Sequence, residues 1–330
     1  MSVPTRMRAL RQASLHGPQD MDLVAEAPVP RPGAGEVLVR VIAAGVNFAD
    51  VAKARGVFRN GPRPPYFAGF EGAGEVVATG TGVTGPEVGD MVVGIGDGAF
   101  AEYMLLSAAA VMPVPAGWTA EQALGILVNW PTALAALKPL GRVAAGETVV
   151  VQAAAGATGQ AAVTLAKHYG ATVIAAASPG KHDTVRALGA DHVLNSRDAD
   201  LAAQVLRLTG GAGADVLLES AGGEAFAAGL AAVRPVTGRV VVIGAAGGNA
   251  AVTNWDLVYR YQIHIVGFNI GVLMRHAPQI FGDVLGELFG LIAAGVITPA
   301  CPTAYQLADG PKALAELEDR ATVGKLALLP

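Results

Sequence analysis

The residues able to do chemistry in this chain gather in three places. Residues 149–181 read VVVQAAAGATGQAAVTLAKHYGATVIAAASPGK: an apolar run, a glycine-containing loop, an alanine-rich amphipathic run and a second apolar run. Laid on the pattern G-x-G-x-x-G, the loop puts Ala154, Gly156 and Gly159 at the three glycine positions, so only the first is replaced. In such a loop the second position lets the backbone approach a pyrophosphate, the third lets the helix pack closely on its strand, and the helix N-terminus offers free N–H groups. The second place is VNFADVAKARG, residues 46–56, where Asn47 and Asp50 stand three apart; the third is FEGAG, which carries Glu71. Asp50 could donate a proton, but it reads first as the closing member of a capping arrangement on Asn47. Glu71 reads as a hydrogen-bonded structural carboxylate. The single cysteine, Cys301, excludes an internal disulfide and a zinc site built from several thiolates, and reads as a small packing residue.

The far end of the second apolar run decides which dinucleotide the loop suits. About 20 residues after such a motif begins, an acidic side chain would bind the ribose 2′-hydroxyl of NAD. Here the chain reads AAASPGK, with no carboxylate. Ser178 can hydrogen-bond a 2′-phosphate and Lys181 can oppose its charge, with His182 as a weaker helper. The expected cofactor is therefore NADPH.

These groups need a frame. Ala162, Leu165, Ala166 and Tyr169 fall at i, i+3, i+4 and i+7 on one helix face, and Gly170 stands where a C-terminal cap would be. Apolar strands are expected at 148–153, 172–177, 192–194, 215–219, 239–243 and 263–268, with helices between them. That alternation indicates a doubly wound parallel sheet covered on both faces. Residues before about 119 instead give short strands at 36–46, 72–80, 90–96 and 100–106, separated by glycine and proline, which suggests a compact β-barrel or sandwich. One helix is expected there, over 46–56 with Asn47 as its cap. A helix over 277–294 precedes strand-like pieces in a tail too short to form a domain of ordinary size.

Composition bounds the rest. With 330 residues, 52% hydrophobic and 15% charged, the chain can bury two cores, and a net charge of −4 provides no broad basic field for nucleic acid or an anionic membrane. No uninterrupted apolar run reaches the roughly 18 residues of a spanning helix, and the N-terminus lacks the apolar block of a signal peptide. A cytoplasmic protein is expected.

In order along the chain, AAGVNFAD (43–50), FAGFEGAGEV (67–76), VGDMVVG (88–94), AAAGATGQ, LGADHVLN (188–195), GADVLLESAGG (213–223), GRVVVIG (238–244) and TVGKLALLP (322–330) resemble the medium-chain dehydrogenase/reductase superfamily. Within it they are most similar to the zinc-independent quinone oxidoreductase, or ζ-crystallin-like, group. The resemblance implies an α/β protein: a GroES-like β-barrel catalytic domain from 1–122 and 272–330, with a Rossmann NADPH-binding domain at 123–271 between them. It also implies a cleft between the domains that holds nicotinamide and acceptor, and a homodimer paired through the strand near 263–268. Zinc-dependent members carry ligands at the positions of Asn47 and Phe70; an amide and a phenyl ring cannot make a catalytic zinc site, so no metal is expected.

The resemblance further implies roles residue by residue. Asn47 and Thr132 would position cofactor and substrate, with no obligatory general acid. Gly156, Ala157, Thr158 and Gly159 would hold the pyrophosphate, and Ser178 and Lys181 the 2′-phosphate. Ser196 stands where an aromatic or histidine often flanks the adenine. Gly244, Ala245, Phe268, Asn269 and Ile270 would line the nicotinamide, and Lys325 belongs to the C-terminal G-K motif. Ala52 replaces a tyrosine common in relatives. The expected activity is hydride transfer from NADPH to a small-molecule quinone. The alternatives are an enoyl or enone reductase and a catalytically idle NADPH-binding redox sensor.

Overall fold

Val37, Val39, Val41 and Ile42 favour extended backbone, and EVLVRVIAAGV forms one long strand, Glu36–Val46. Its length lets it take three partners, all antiparallel. The first half of one edge pairs with Tyr103–Ser107 and the end of that edge with Leu326–Leu329, while the other edge pairs with Glu71–Thr79. Met91–Ile95 and Met112–Pro113 extend the sheet beyond Glu71–Thr79, and Thr303–Gln306 extends it beyond Leu326–Leu329. Leu10, Val39, Phe100, Met104, Leu314 and Leu328 fill the core that this sheet encloses.

A computed structural model describes residues 3–330 of the chain; residues 1 and 2 of the expected first domain lie outside it. Two compact units divide the chain, Met1–Leu127 with Pro299–Pro330, and Val128–Thr298. In the first unit a smaller sheet of Met21–Pro28, Arg6–Gln12 and Tyr66–Phe67 accompanies the larger one. Cys301 is exposed, which corrects its reading as a packing residue.

The second unit is built on six parallel strands in the spatial order His192–Asn195, Thr172–Ala177, Thr148–Val151, Val216–Glu219, Arg239–Val242 and His264–Gly267. Numbered along the chain this is 3-2-1-4-5-6, the doubly wound arrangement in which the strand order reverses beside the first strand. Val149 to Val151 are fully buried, as are Ala162, Leu165 and Ala166 on the helix Ala157–His168 that follows. The first strand ends two residues earlier than its apolar run suggests. Ala153 takes φ 47, which extended backbone cannot continue through, and the chain turns there.

Candidate functional site

In the second unit the expected cofactor residues other than Thr132 lie just beyond the carboxyl ends of strands of the parallel sheet. Gly156 is the N-cap of the helix Ala157–His168 and has no side chain to cap it. The first-turn N–H groups at Ala157, Thr158 and Gly159 therefore have no intrahelical acceptor, at the positive end of a twelve-residue helix. The two glycines act differently. A Cβ on Gly159 would run into the carbonyl of Ala153, whereas one on Gly156 would meet nothing closer than that oxygen at 3.4 Å. Gly159 lets the helix close on the strand, and Gly156 leaves open the space in which a phosphate could approach the backbone. These observations fit a dinucleotide pyrophosphate.

The second strand, Thr172–Ala177, runs into a tight turn over Pro179–Lys181. The Ser196 N–H donates to the Ala177 carbonyl at 3.0 Å, which seats residues 196 and 197 beside Ser178. Burial and the nearby charge of Arg197 lower the pKa of Lys181. A second cation thus stands near Lys181, and sequence reasoning missed it because the turn after the next strand supplies it. His182 Nε2 lies 3.1 Å from the Ala177 carbonyl, so its ring faces backbone.

Thr132 lies on the helix Asn129–Ala135 with its hydroxyl donating to the Val128 carbonyl at 2.5 Å. Asn129 on the same helix donates to Thr158 Oγ1 at 3.0 Å and ties that helix to the glycine loop. Gly244 and Ala245 follow the strand Arg239–Val242. Phe268, Asn269 and Ile270 follow His264–Gly267, where Asn269 caps the helix Ile270–His276 by accepting from the Val272 N–H at 3.1 Å. Glu219 was not anticipated. It ends the strand next to the first, accepts from the Gly222 N–H at 2.6 Å, and burial raises its pKa. A carboxylate closing the apolar run VLLE was the available signal.

In the first unit Asn47 and Lys325 meet through Glu71. Lys325 Nζ lies 2.6 Å from Glu71 Oε2 and 2.8 Å from Asn47 Oδ1, and Asn47 Nδ2 donates to Glu71 Oε2 at 2.8 Å. The Gly125 N–H occupies the other Glu71 oxygen. Glu71 is fully buried, so these donors offset the cost of keeping its charge out of water. The network also orients the Asn47 amide. With Nδ2 toward a carboxylate and Oδ1 toward an ammonium, the reverse orientation would place donor on donor and acceptor on acceptor.

Asn47 caps the helix Phe48–Ala54, and Asp50 closes the capping box by accepting the Asn47 N–H at 2.9 Å. Both structural readings of the carboxylates, the cap and the hydrogen-bonded Glu71, describe what is present. Burial raises the Asp50 carboxyl to about 7, opposed by the charges of Lys53 and Lys325 and by the Asn47 N–H, and aided by Glu71. Among the described residues no three of His, Cys, Asp and Glu gather as metal ligands would, and no helix is long and apolar enough to cross a membrane.

Known proteins match both units. Residues 33–116 match the alcohol dehydrogenase GroES-like domain and residues 157–285 the zinc-binding dehydrogenase family. The native structure of mycobacterial Rv1454c complexed with NADPH is 33% identical, with a TM-score of 0.91 over 98% of this chain and 100% of that one. A quinone oxidoreductase of Pseudomonas syringae is 31% identical, with a TM-score of 0.90 over 98% and 100%. The CurK enoyl reductase is 28% identical, with a TM-score of 0.88 over 98% and 99%. The pikromycin polyketide synthase component PikAII of Streptomyces venezuelae is 36% identical over 313 residues, which are 94% of this chain but only 8% of that protein's length. Together with the 3-2-1-4-5-6 sheet and the GroES-like unit, these matches place the chain in the medium-chain dehydrogenase/reductase superfamily: it is an oxidoreductase of the zinc-independent quinone oxidoreductase group.

Proposed function

We propose that the chain is an NADPH-dependent oxidoreductase whose acceptor is a quinone. One observation carries the cofactor assignment. Where an NAD-binding protein of this architecture presents a carboxylate, the chain presents Ser178 and Lys181 with Arg197 beside them. When bound, NADPH supplies the hydride. The protein's part is to bind and orient. The loop from Gly156 to Gly159 would hold the pyrophosphate, Ser178, Lys181 and Arg197 the 2′-phosphate, and Thr132, Gly244, Ala245, Phe268, Asn269 and Ile270 the nicotinamide side. Ser196 would border the adenine. Asn47, with its amide fixed by Glu71 and Lys325, would present a set donor and acceptor pattern to the reactants.

A quinone suits a site with no metal ligands at Asn47 and Phe70, because its reduction needs little Lewis-acid help. An enoyl or enone acceptor is the second reading, supported by the likeness to the CurK enoyl reductase. Steady-state NADPH consumption with 1,4-benzoquinone, 1,4-naphthoquinone and a set of enones and enoyl thioesters tests both. Turnover of the quinones well above that of the enones supports the first reading, and the opposite ranking supports the second. Tight NADPH binding without turnover of any acceptor overturns both and favours a redox sensor. The strand His264–Gly267 lies at the edge of the parallel sheet, which supports a homodimer paired there. A monomeric mass in sedimentation would count against it.

A further inference from the structure

The first unit contains a cavity of about 420 Å³ that none of the roles assigned above uses. Its volume lies within the range of small-molecule sites. Pro62, Tyr66, Phe67 and Met104 line it with rings and a thioether, which suit an aromatic body. Two hydrogen-bond donors also belong to its wall. Lys53 Nζ lies 4.3 Å from the centroid of the Phe70 ring and 5.7 Å from that of Phe58, rings that hold the ammonium but offer its N–H groups no oxygen. The second donor is the Tyr66 hydroxyl. Burial, then the charge of Asp50, raises its pKa to about 12, so it keeps its proton at neutral pH.

Neither donor has a hydrogen-bond partner among the described residues, and neither is closed off: the buried unpartnered side-chain atoms there belong to Gln12, Asp50, Gln152, Glu219 and Arg234. Lys53 and Tyr66 are half-buried and keep accessible surface, so a ligand can reach both. Their surroundings are short of negative charge. From Val51 to Phe70 the chain carries Lys53, Arg55, Arg59 and Arg63 and no acidic residue, against a net charge of −4 for the whole. Arg55 pairs with Glu318, but Arg59 and Arg63, which flank the lining residue Pro62 in sequence, are exposed and form no ion pair among the described residues. Asp50 lines the cavity without forming an ion pair with Lys53, and burial raises it to about 7, so at neutral pH it offsets the ammonium only in part. Asp97, the other acidic lining residue, is exposed and screened by water.

We propose that this cavity binds an aromatic carboxylic acid as its anion, with the ring against Tyr66, Phe67 and Met104 and the carboxylate accepting from the Lys53 ammonium and the Tyr66 hydroxyl. A charge-assisted bond from Lys53 and a neutral one from Tyr66 match the two oxygens of one carboxylate. A neutral carbonyl compound would leave the ammonium without a counter-charge and gain less. Arg59 and Arg63 add a longer-range attraction for the anion. The inference goes beyond the proposed function: the site lies in the first unit alone, and it holds whichever acceptor takes the hydride.

Calorimetric titration of the full chain with 2-naphthoate and with its neutral methyl ester tests this, alongside Lys53→Met and Tyr66→Phe. The wild type should bind the acid about tenfold more tightly than the ester, the worth of one charge-assisted hydrogen bond. Lys53→Met should abolish that difference by weakening the acid alone, and its unchanged affinity for the ester reports an intact cavity. Tyr66→Phe should weaken both ligands by roughly fivefold, because the ester carbonyl also accepts from the hydroxyl. No binding of the acid, equal binding of acid and ester by the wild type, or an acid affinity that either variant leaves unchanged overturns the site. Should Lys53→Met fail to fold, the wild-type contrast between acid and ester and the Tyr66→Phe loss decide. Turnover of quinones or enones by a chain that binds no 2-naphthoate overturns the site and leaves the proposed function standing. Binding in the expected pattern without turnover of any acceptor upholds the site and overturns that function.

Discussion

Lys325 Nζ stands 2.6 Å from Glu71 Oε2 across 254 residues of sequence, with the Lys325 side chain 11% exposed and that of Glu71 0%. Removing one member of a buried pair strands the other, which is far more damaging than removing both. Lys325→Met should destabilise the protein by about 3–5 kcal/mol. The double variant Glu71→Gln with Lys325→Met should lose clearly less than the sum of the two single losses. Urea denaturation of the four proteins measures this coupling, and additive losses would show that the pair acts as two independent residues.

The cation pair Lys181 and Arg197, proposed to hold the 2′-phosphate, should separate the two nicotinamide cofactors. Arg197→Ala should raise the KM for NADPH by roughly tenfold, one charge-assisted hydrogen bond, and leave the KM for NADH unchanged. Lys181→Glu should reverse the preference. Initial rates with both cofactors decide the matter, and a variant that loses NADH and NADPH equally would place these residues elsewhere than at the phosphate.

Two glycines three residues apart should respond differently to the same added methyl. Gly159→Ala drives a Cβ into the Ala153 carbonyl and should cost about 1–3 kcal/mol of stability. Gly156→Ala meets only an ordinary contact at 3.4 Å and should fold normally while weakening NADPH binding, because the methyl takes space a phosphate would need. Thermal denaturation with and without NADPH distinguishes a fold defect from a binding defect.

The Asp50 carboxyl sets a pH dependence of stability. Its ordinary pKa of 3.8 is raised by burial to about 7 in the folded chain, so between those values the folded state holds a proton that the unfolded state has released. Its favourable contribution is complete below about pH 4, declines as pH rises and is lost above about pH 7. Asp50→Asn removes that slope. Urea midpoints from pH 5 to 8 should therefore fall more steeply in the wild type than in the variant, and parallel curves would mean that the carboxyl titrates near its ordinary value.

Much of the second unit was legible because its information is local. Val149, Val150 and Val151, the glycine loop and the face of Ala162, Leu165 and Ala166 lie within one short stretch, and each step of strand, turn and helix carries its own periodicity. The strands Arg6–Gln12 and Met21–Pro28 were not legible. The first has its alternation broken by a shift of register between Met7 and Ala9, and most of the second is exposed, so neither shows a clean period of two. Asn47 and Lys325 were each recognisable by motif, but their meeting through Glu71 was not, because it depends on strands distant in sequence. Arg197 escaped notice for a similar reason: its proximity to Lys181 follows from parallel pairing of Thr172–Ala177 with His192–Asn195.

The strand Leu326–Leu329, wedged between Glu36–Val46 and Thr303–Gln306, bears on the order of events during synthesis. The second unit, ending at Thr298, has all of its residues before the last stretch of the first unit is made. Until Lys325 leaves the ribosome, Glu71 has a pocket but no counter-charge, and the edge of Glu36–Val46 beside Ala44 to Val46 has no partner. The first unit is thus begun before the second and completed after it, with a hydrogen-bonding edge held open while the intervening residues are made.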